Sequence, residues 1–214
     1  MLNKSILAAG IGLLLSAAAA QAAPITTAPP PLIAFGDVTA VYIFDDAGDT
    51  SILSEFSPST IAQIFCNHSG GGCTASATGD TAPLFPPSQF GPMVFTLENI
   101  TSGNVFNSDT ADSDGNYHAL ITSNYADFGV GALPGPAATA LAGLGGSITF
   151  VGWEDLTAGQ GSDFDYNDLI FAFANTAITP NQNAVIPEPL TLSLFGAGLA
   201  GVAFMGRRRK KTKA

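Results

Sequence analysis

The chain has 214 residues, with 17 Asp and Glu against seven Lys and Arg, a formal net charge of −10. The cations are confined to the ends: one is Lys4 and six follow Gly206, so no Lys or Arg stands between Ser5 and Gly206, where all 17 acids fall. Such a body cannot neutralise phosphates, which excludes nucleic-acid binding, and it holds no lysine or arginine for Schiff-base chemistry or phosphoryl clamping.

The first residues read as a secretory signal peptide over 1–22. Lys4 is followed by an apolar run over 6–15, small residues over 17–23, and Ala20-Gln21-Ala22 in the pattern of a cleavage site, with Ala23 as first mature residue. A retained N-terminal anchor is the alternative. Signal peptidase is thus an expected partner, and the mature chain starts outside the cytoplasm. A Pro-rich linker is expected over 23–31, because Ala28-Pro29-Pro30-Pro31 is stiff and extended.

Residues 32–174 read as one all-β acidic domain. Short runs rich in Phe, Val, Ile and Thr, separated by Gly, Pro, Asn, Asp and Ser, place strands at 38–44, 51–56, 93–98, 117–122, 147–153 and 169–174. A helix is expected only over 59–65, opened by Pro58 and Ser59. The Gly- and Ala-rich stretch 129–146 reads as a loop. The expected fold is a single sandwich or jelly-roll-like domain with long loops. A second linker is expected over 175–186.

Cys66 and Cys73 flank a glycine-rich hairpin, and in an exported chain the simplest reading of such a pair is a disulfide. His68 between them opens a metal or redox reading, although two Cys and one His lack a fourth ligand.

The acids fall into groups. Asp163, Asp165 and Asn167 alternate and are followed by Asp168, with Glu154 and Asp155 nearby; Asp112, Asp114 and Asn116 alternate before the strand at 117–122, close to Asp109 and His118. Asp45, Asp46 and Asp49 form a third group. Alternating carboxylates and amides converge their oxygens as the first ligands of a calcium loop do, and with no cation in the body calcium is the expected cofactor. The spacing is not that of an EF-hand, since the sixth position is Asp168 and the twelfth Asn175. Turn capping by Asp and Asn is the competing reading.

The order Asp114-Gly115, His118, then Trp153-Glu154-Asp155-Leu156, then Asp163, Asp165-Tyr166-Asn167-Asp168 resembles the domain-of-unknown-function family 4114 over about 109–173. That family is often found in exported bacterial proteins and has no established activity. The resemblance therefore implies setting and architecture.

The C-terminal segment 187–214 combines Pro187-Glu188-Pro189, an uncharged stretch over 190–206, and Arg207, Arg208, Arg209, Lys210 and Lys211. Seventeen residues in a helix reach about 25 Å, enough for a short membrane span, and the cations mark its cytoplasmic stop. This arrangement resembles the PEP-CTERM sorting signal of Gram-negative bacteria; a plain, unprocessed anchor is the alternative. The resemblance implies transient anchoring in the inner membrane, recognition by an exosortase, cleavage near Pro-Glu-Pro, and delivery to the cell surface or extracellular matrix, often alongside exopolysaccharide and biofilm. With both ends removed the domain would carry about 16 acids and no Lys or Arg, a charge near −16.

The expected function is that of a non-enzymatic surface or matrix protein with calcium in its acidic loops. The alternatives are a carbohydrate-binding module for exopolysaccharide and a glycoside hydrolase or lyase using a carboxylate pair such as Glu154 with Asp165. No catalytic residue is assigned.

Overall fold

The computed structural model describes residues 23–84 and 89–179. The signal peptide expected over 1–22 and the sorting segment expected over 187–214 lie outside the described residues. The chain divides into two units, Met1–Thr179 and Pro180–Ala214. Among the described residues no helix is long and apolar enough to cross a membrane.

In chain order the strands are β1 (Leu32–Asp45), β2 (Ser51–Ser57), β3 (Ile61–Cys66), β4 (Thr81–Pro83), β5 (Gln89–Asn99), β6 (Asn104–Asn107), β7 (Ala119–Thr122), β8 (Ile148–Trp153) and β9 (Leu169–Ile178). A short 3-10 helix (Tyr125–Phe128) and an α-helix, α1 (Gly135–Ala142), lie between β7 and β8. The hydrogen-bonded order is β3-β2-β5-β1-β9-β8-β7, with β4 added to β1 and β6 to β5.

This path folds into two facing layers because β5 changes partners. Its first half pairs with β1, Leu32 opposite Met93 and Phe35 opposite Phe90. Its second half pairs with β2 on one side and β6 on the other. Between the layers, Leu53, Phe65, Phe95, Leu97 and Phe106 meet Tyr42, Val151, Trp153, Phe171 and Phe173. Ring contacts cross the gap, Phe95 with Phe173 at 4.2 Å and Phe65 with Phe171 at 5.9 Å. Each fully buried large side chain contributes roughly 1.5–3 kcal/mol, so this seam is a main source of stability.

The layer containing β1, β9 and β8 is covered on its other face as well. Val41, Ile43, Ile170 and Ala172 point to a second cluster with Tyr125, Phe128, Ala137, Phe164 and Tyr166. Hence the middle of β9 is buried at every position from Leu169 to Ala174, and its sequence is a continuous apolar run rather than an alternation. The described residues form a mostly β-sheet domain with long loops, consistent with the expected sandwich-like fold.

Two local expectations are corrected. Residues 59–65 are not helical: Ile61–Cys66 is β3, with Phe65 opposite Leu53 and Cys66 opposite Ile52. A seven-residue helix has little stability of its own, whereas pairing with β2 buries Phe65 and Cys66. The stretch 129–146 is not all loop, since Pro134 and Pro136 open α1 and Ala137 packs on the second cluster. The last strand also runs on to Ile178, taking in the start of the expected second linker, because Thr176 and Ile178 pair with Ala34 and Leu32. Ile25, within the expected first linker, bridges to Tyr117.

Candidate metal centre

Strands β8 and β9 are antiparallel neighbours with Trp153 opposite Leu169, so the connection 154–168 leaves and re-enters the sheet at one place. Within it, Phe164 and Tyr166 adopt left-handed backbone conformations, φ 56° and 58°. These cost a non-glycine residue about 1 kcal/mol or more each. Burial of both rings in the second cluster offsets the strain. The tyrosine is also anchored through its hydroxyl, which accepts from the Ile25 N–H at 2.8 Å and donates to the Tyr117 carbonyl at 3.2 Å. With the aromatics turned inward, Asp163, Asp165 and Asn167 keep the less buried positions between and beside them. Gly152 permits this close seating: a Cβ there would stand 2.2 Å from the Tyr166 carbonyl oxygen and 2.3 Å from Phe128.

The result is a cluster in which carboxylate oxygens of Glu154, Asp163 and Asp165 all lie within 4.8 Å of one another. Glu154 is buried at the end of β8, where one oxygen accepts from the Ser162 hydroxyl and the other from the Tyr166 N–H at 2.6 Å. Burial raises its proton affinity, and Asp163 and Asp165 raise it further against those two hydrogen bonds. Asp165 is raised too, by burial and by Asp163 and Asp46. Asn167 turns its backbone N–H and side-chain amide onto Asp165, so it steadies a carboxylate.

Asp155 and Asp168 sit beside this cluster and knit neighbouring loops together. The Asp155 N–H donates to Asp168 Oδ2 at 2.9 Å, and the Asp168 carbonyl accepts from the N–H groups of Asp46 and Ala47. Ser51 Oγ donates to Asp155 Oδ2, and Asn99 Nδ2 donates both to the Asp155 carbonyl and to Asp49 Oδ2. Burial, with Glu154, Asp155 and Asp165 close by, pushes Asp168 up to about 8; Asp155 is raised by burial and by Asp49. The Asp45, Asp46 and Asp49 group thus belongs to the same end of the domain as Asp163–Asp168. That assembly was invisible in the sequence because it depends on the β1–β2 connection meeting the start of β9.

Cys66 and Cys73 form the expected disulfide. The loop it closes is tied to this end through Asn67, whose Oδ1 accepts from the Ser51 N–H at 2.8 Å and whose Nδ2 donates to the Asp49 carbonyl at 2.9 Å. His68 Nδ1 lies 3.0 Å from the same carbonyl, with Nε2 3.9 Å from Asp45.

A second cluster gathers Asp112, Asp114 and His118 within 4.8 Å. The turn at 112–116 closes by the Asp112 N–H donating to the Asn116 carbonyl, and Asn116 donates its own N–H to Asp114 Oδ1 at 2.9 Å. Here too the asparagine braces a carboxylate, while the histidine, which sequence spacing placed only nearby, completes the group. Burial opposes ionisation of Asp114, yet N–H donation from Ala158 and Asn116, with His118 adjacent, holds it down to about 2.

Residues 185–210 match the PEP-CTERM protein-sorting motif, a span that includes Pro187-Glu188-Pro189 and the basic residues to Lys210. That motif implies handling by an exosortase-type sorting system. No curated protein and no solved structure matches the chain. The comparisons bring no support for the resemblance of 109–173 to family 4114.

Proposed function

We propose that this chain is a non-enzymatic exported protein of the cell surface or extracellular matrix, sorted by an exosortase through its tail, whose acidic loop binds calcium. One observation carries the calcium reading: Glu154, Asp163 and Asp165 bring three carboxylates within 4.8 Å in a body that has no Lys or Arg to neutralise them. Calcium takes oxygen ligands at 2.3–2.6 Å, so carboxylate oxygens around one ion are separated by up to about 5 Å, the scale of this cluster. Burial first, and this repulsion after it, raises the proton affinities of Glu154 and Asp165, and a divalent ion relieves the repulsion.

Trp153, the sole tryptophan, is buried immediately before Glu154 and provides the readout. Calcium titration followed by its fluorescence, with metal analysis of the purified chain, is expected to show saturable binding. An unresponsive tryptophan together with metal-free protein in calcium-containing buffer sinks the reading.

A carbohydrate-binding role is the second reading, supported by Phe35 and Phe90. They face each other across β1 and β5 and are 55% and 75% exposed, so two aromatic side chains stand together in solvent. Retention of the chain on host exopolysaccharide, lost in a Phe35→Ala, Phe90→Ala double variant, would support it; equal retention of both would remove it.

A further inference from the structure

The Asp112, Asp114 and His118 cluster differs in kind from the one in the 154–168 loop, because it includes an imidazole. His118 is 1% exposed, stacked on Phe106 at 3.9 Å between ring centres. Its Nδ1 has no hydrogen-bond partner, and Nε2 is aimed at the Asp114 carboxylate. The approach is long, 3.3 Å and 3.4 Å to the two oxygens. A charge-assisted N–H···O bond closes to about 2.7–2.9 Å. In contrast, two ligands bound at 2.0–2.1 Å to one tetrahedral zinc ion are separated by about 3.3–3.4 Å. The separation of Nε2 from Asp114 matches the edge of that tetrahedron.

The third ligand atom is supplied by Asp112, whose carboxylate accepts only the neighbouring Ser113 hydroxyl, at 3.4 Å, among the described hydrogen bonds. Asp114 Oδ2 is steadied by the Ala158 N–H at 3.1 Å, and the His118 carbonyl by the Glu154 N–H at 2.9 Å. The outer hydrogen bond on the Asp114 carboxylate is characteristic of metal ligands, while the His118 ring is held by its stacking on Phe106. Nitrogen from imidazole suits zinc and its neighbours and is a poor donor to calcium, which takes oxygen. Two carboxylates and a neutral imidazole balance a divalent charge.

We infer that Asp112, Asp114 and His118 form a second metal site, selective for a divalent transition ion of the zinc class. The site is separate from the calcium cluster and stands whether or not that cluster binds calcium.

The chain has two histidines, so imidazole nitrogen resonances report the site directly. Zinc is titrated into the purified, detergent-held full chain in saturating calcium while the 15N signals of His118 and His68 are followed. One zinc per chain is expected, with His118 Nε2 shifting and His68 unmoved. Asp112→Asn, at a half-buried turn position, and His118→Gln are each expected to weaken binding by more than about tenfold, and Glu98→Gln, exposed and in neither cluster, to leave it unchanged. Trp153 fluorescence verifies that the variants are folded, and Asp112→Asn carries the test if His118→Gln is not. An unshifted His118, a response at His68 instead, or zinc binding retained in Asp112→Asn overturns the proposal.

Discussion

Replacing Asp165 by asparagine tests the charge of the proposed calcium cluster against its architecture. The side chain keeps its size and one carbonyl oxygen to accept the Asn167 N–H, which now bonds Oδ1 at 3.2 Å, but its amide nitrogen cannot accept from Asn167 Nδ2 as Oδ2 does. It removes one of three clustered negative charges. Calcium at about 100 times its dissociation constant stabilises the wild-type fold by about 2.7 kcal/mol. For a domain of the length spanned by residues 23–179, each kcal/mol moves the melting temperature by about 2–4 °C, so the expected shift is roughly 5–11 °C. Losing a ligand charge that weakens affinity about tenfold leaves roughly half of that gain at the same calcium concentration. In EDTA, relief of a charge disfavoured by burial, Asp163 and Asp46 offsets the lost Asn167 amide bond, so the two proteins are expected to melt within about 4 °C of each other at pH 8. Scanning calorimetry of both proteins, with calcium and with EDTA, decides the matter. An equal calcium shift in both proteins, or a variant several degrees less stable in EDTA, would refute the reasoning.

In EDTA, stability should fall as pH rises from 5 to about 8. Asp168, at about 8, and Glu154 and Asp155, also raised, bind protons more tightly folded than unfolded, so their contribution is complete below the ordinary carboxylate range near 4 and is lost as pH climbs through the folded values. Asp114, lowered to about 2, acts in the opposite sense but below this window. Melting temperatures across that range check the sign, and calcium should flatten the decline. Gly152→Ala forces a Cβ into the Tyr166 carbonyl and the Phe128 ring, and is expected to cost about 1–3 kcal/mol by chemical denaturation and to weaken calcium binding in parallel. A Cys66→Ser, Cys73→Ser double variant opens the short loop closed across a sequence separation of seven, and should lose about 2.5 kcal/mol in the same assay.

Several strands were legible because their apolar residues and turn punctuation are local. The centre of β9, the β8 run into Trp153 and the β2 segment all lie where propensity and flanking Gly, Asp and Asn place them. The three-residue β4 and the four-residue β6 carry too little pattern to stand out, and β3 was masked by Pro58 and Ser59, which also suit a helix start. The α1 helix was hidden by its glycine and alanine content, since its one buried residue, Ala137, leaves no apolar stripe to read. For the site, the alternation of Asp163, Asp165 and Asn167 falls in the loop where three carboxylates gather. The two asparagines of these alternations donate to Asp114 and Asp165, because a spacing of two suits a brace as well as a ligand.

The sequence alone determined what is additive or contiguous: an anionic body with every cation confined to the ends, a Pro-Glu-Pro tail with its basic run, a short cysteine loop and a β-rich composition. The tertiary structure decided which acids meet. Asp46 comes near Asp165, Asn99 bridges Asp49 to Asp155, and His118 lies opposite Glu154 at the ends of β7 and β8. These residues are tens of positions apart in the chain, and only strand order, register and the inward turn of Phe164 and Tyr166 bring them together. Charge sums along a chain whatever its fold, whereas coordination requires oxygens and nitrogens within a few ångströms of one point.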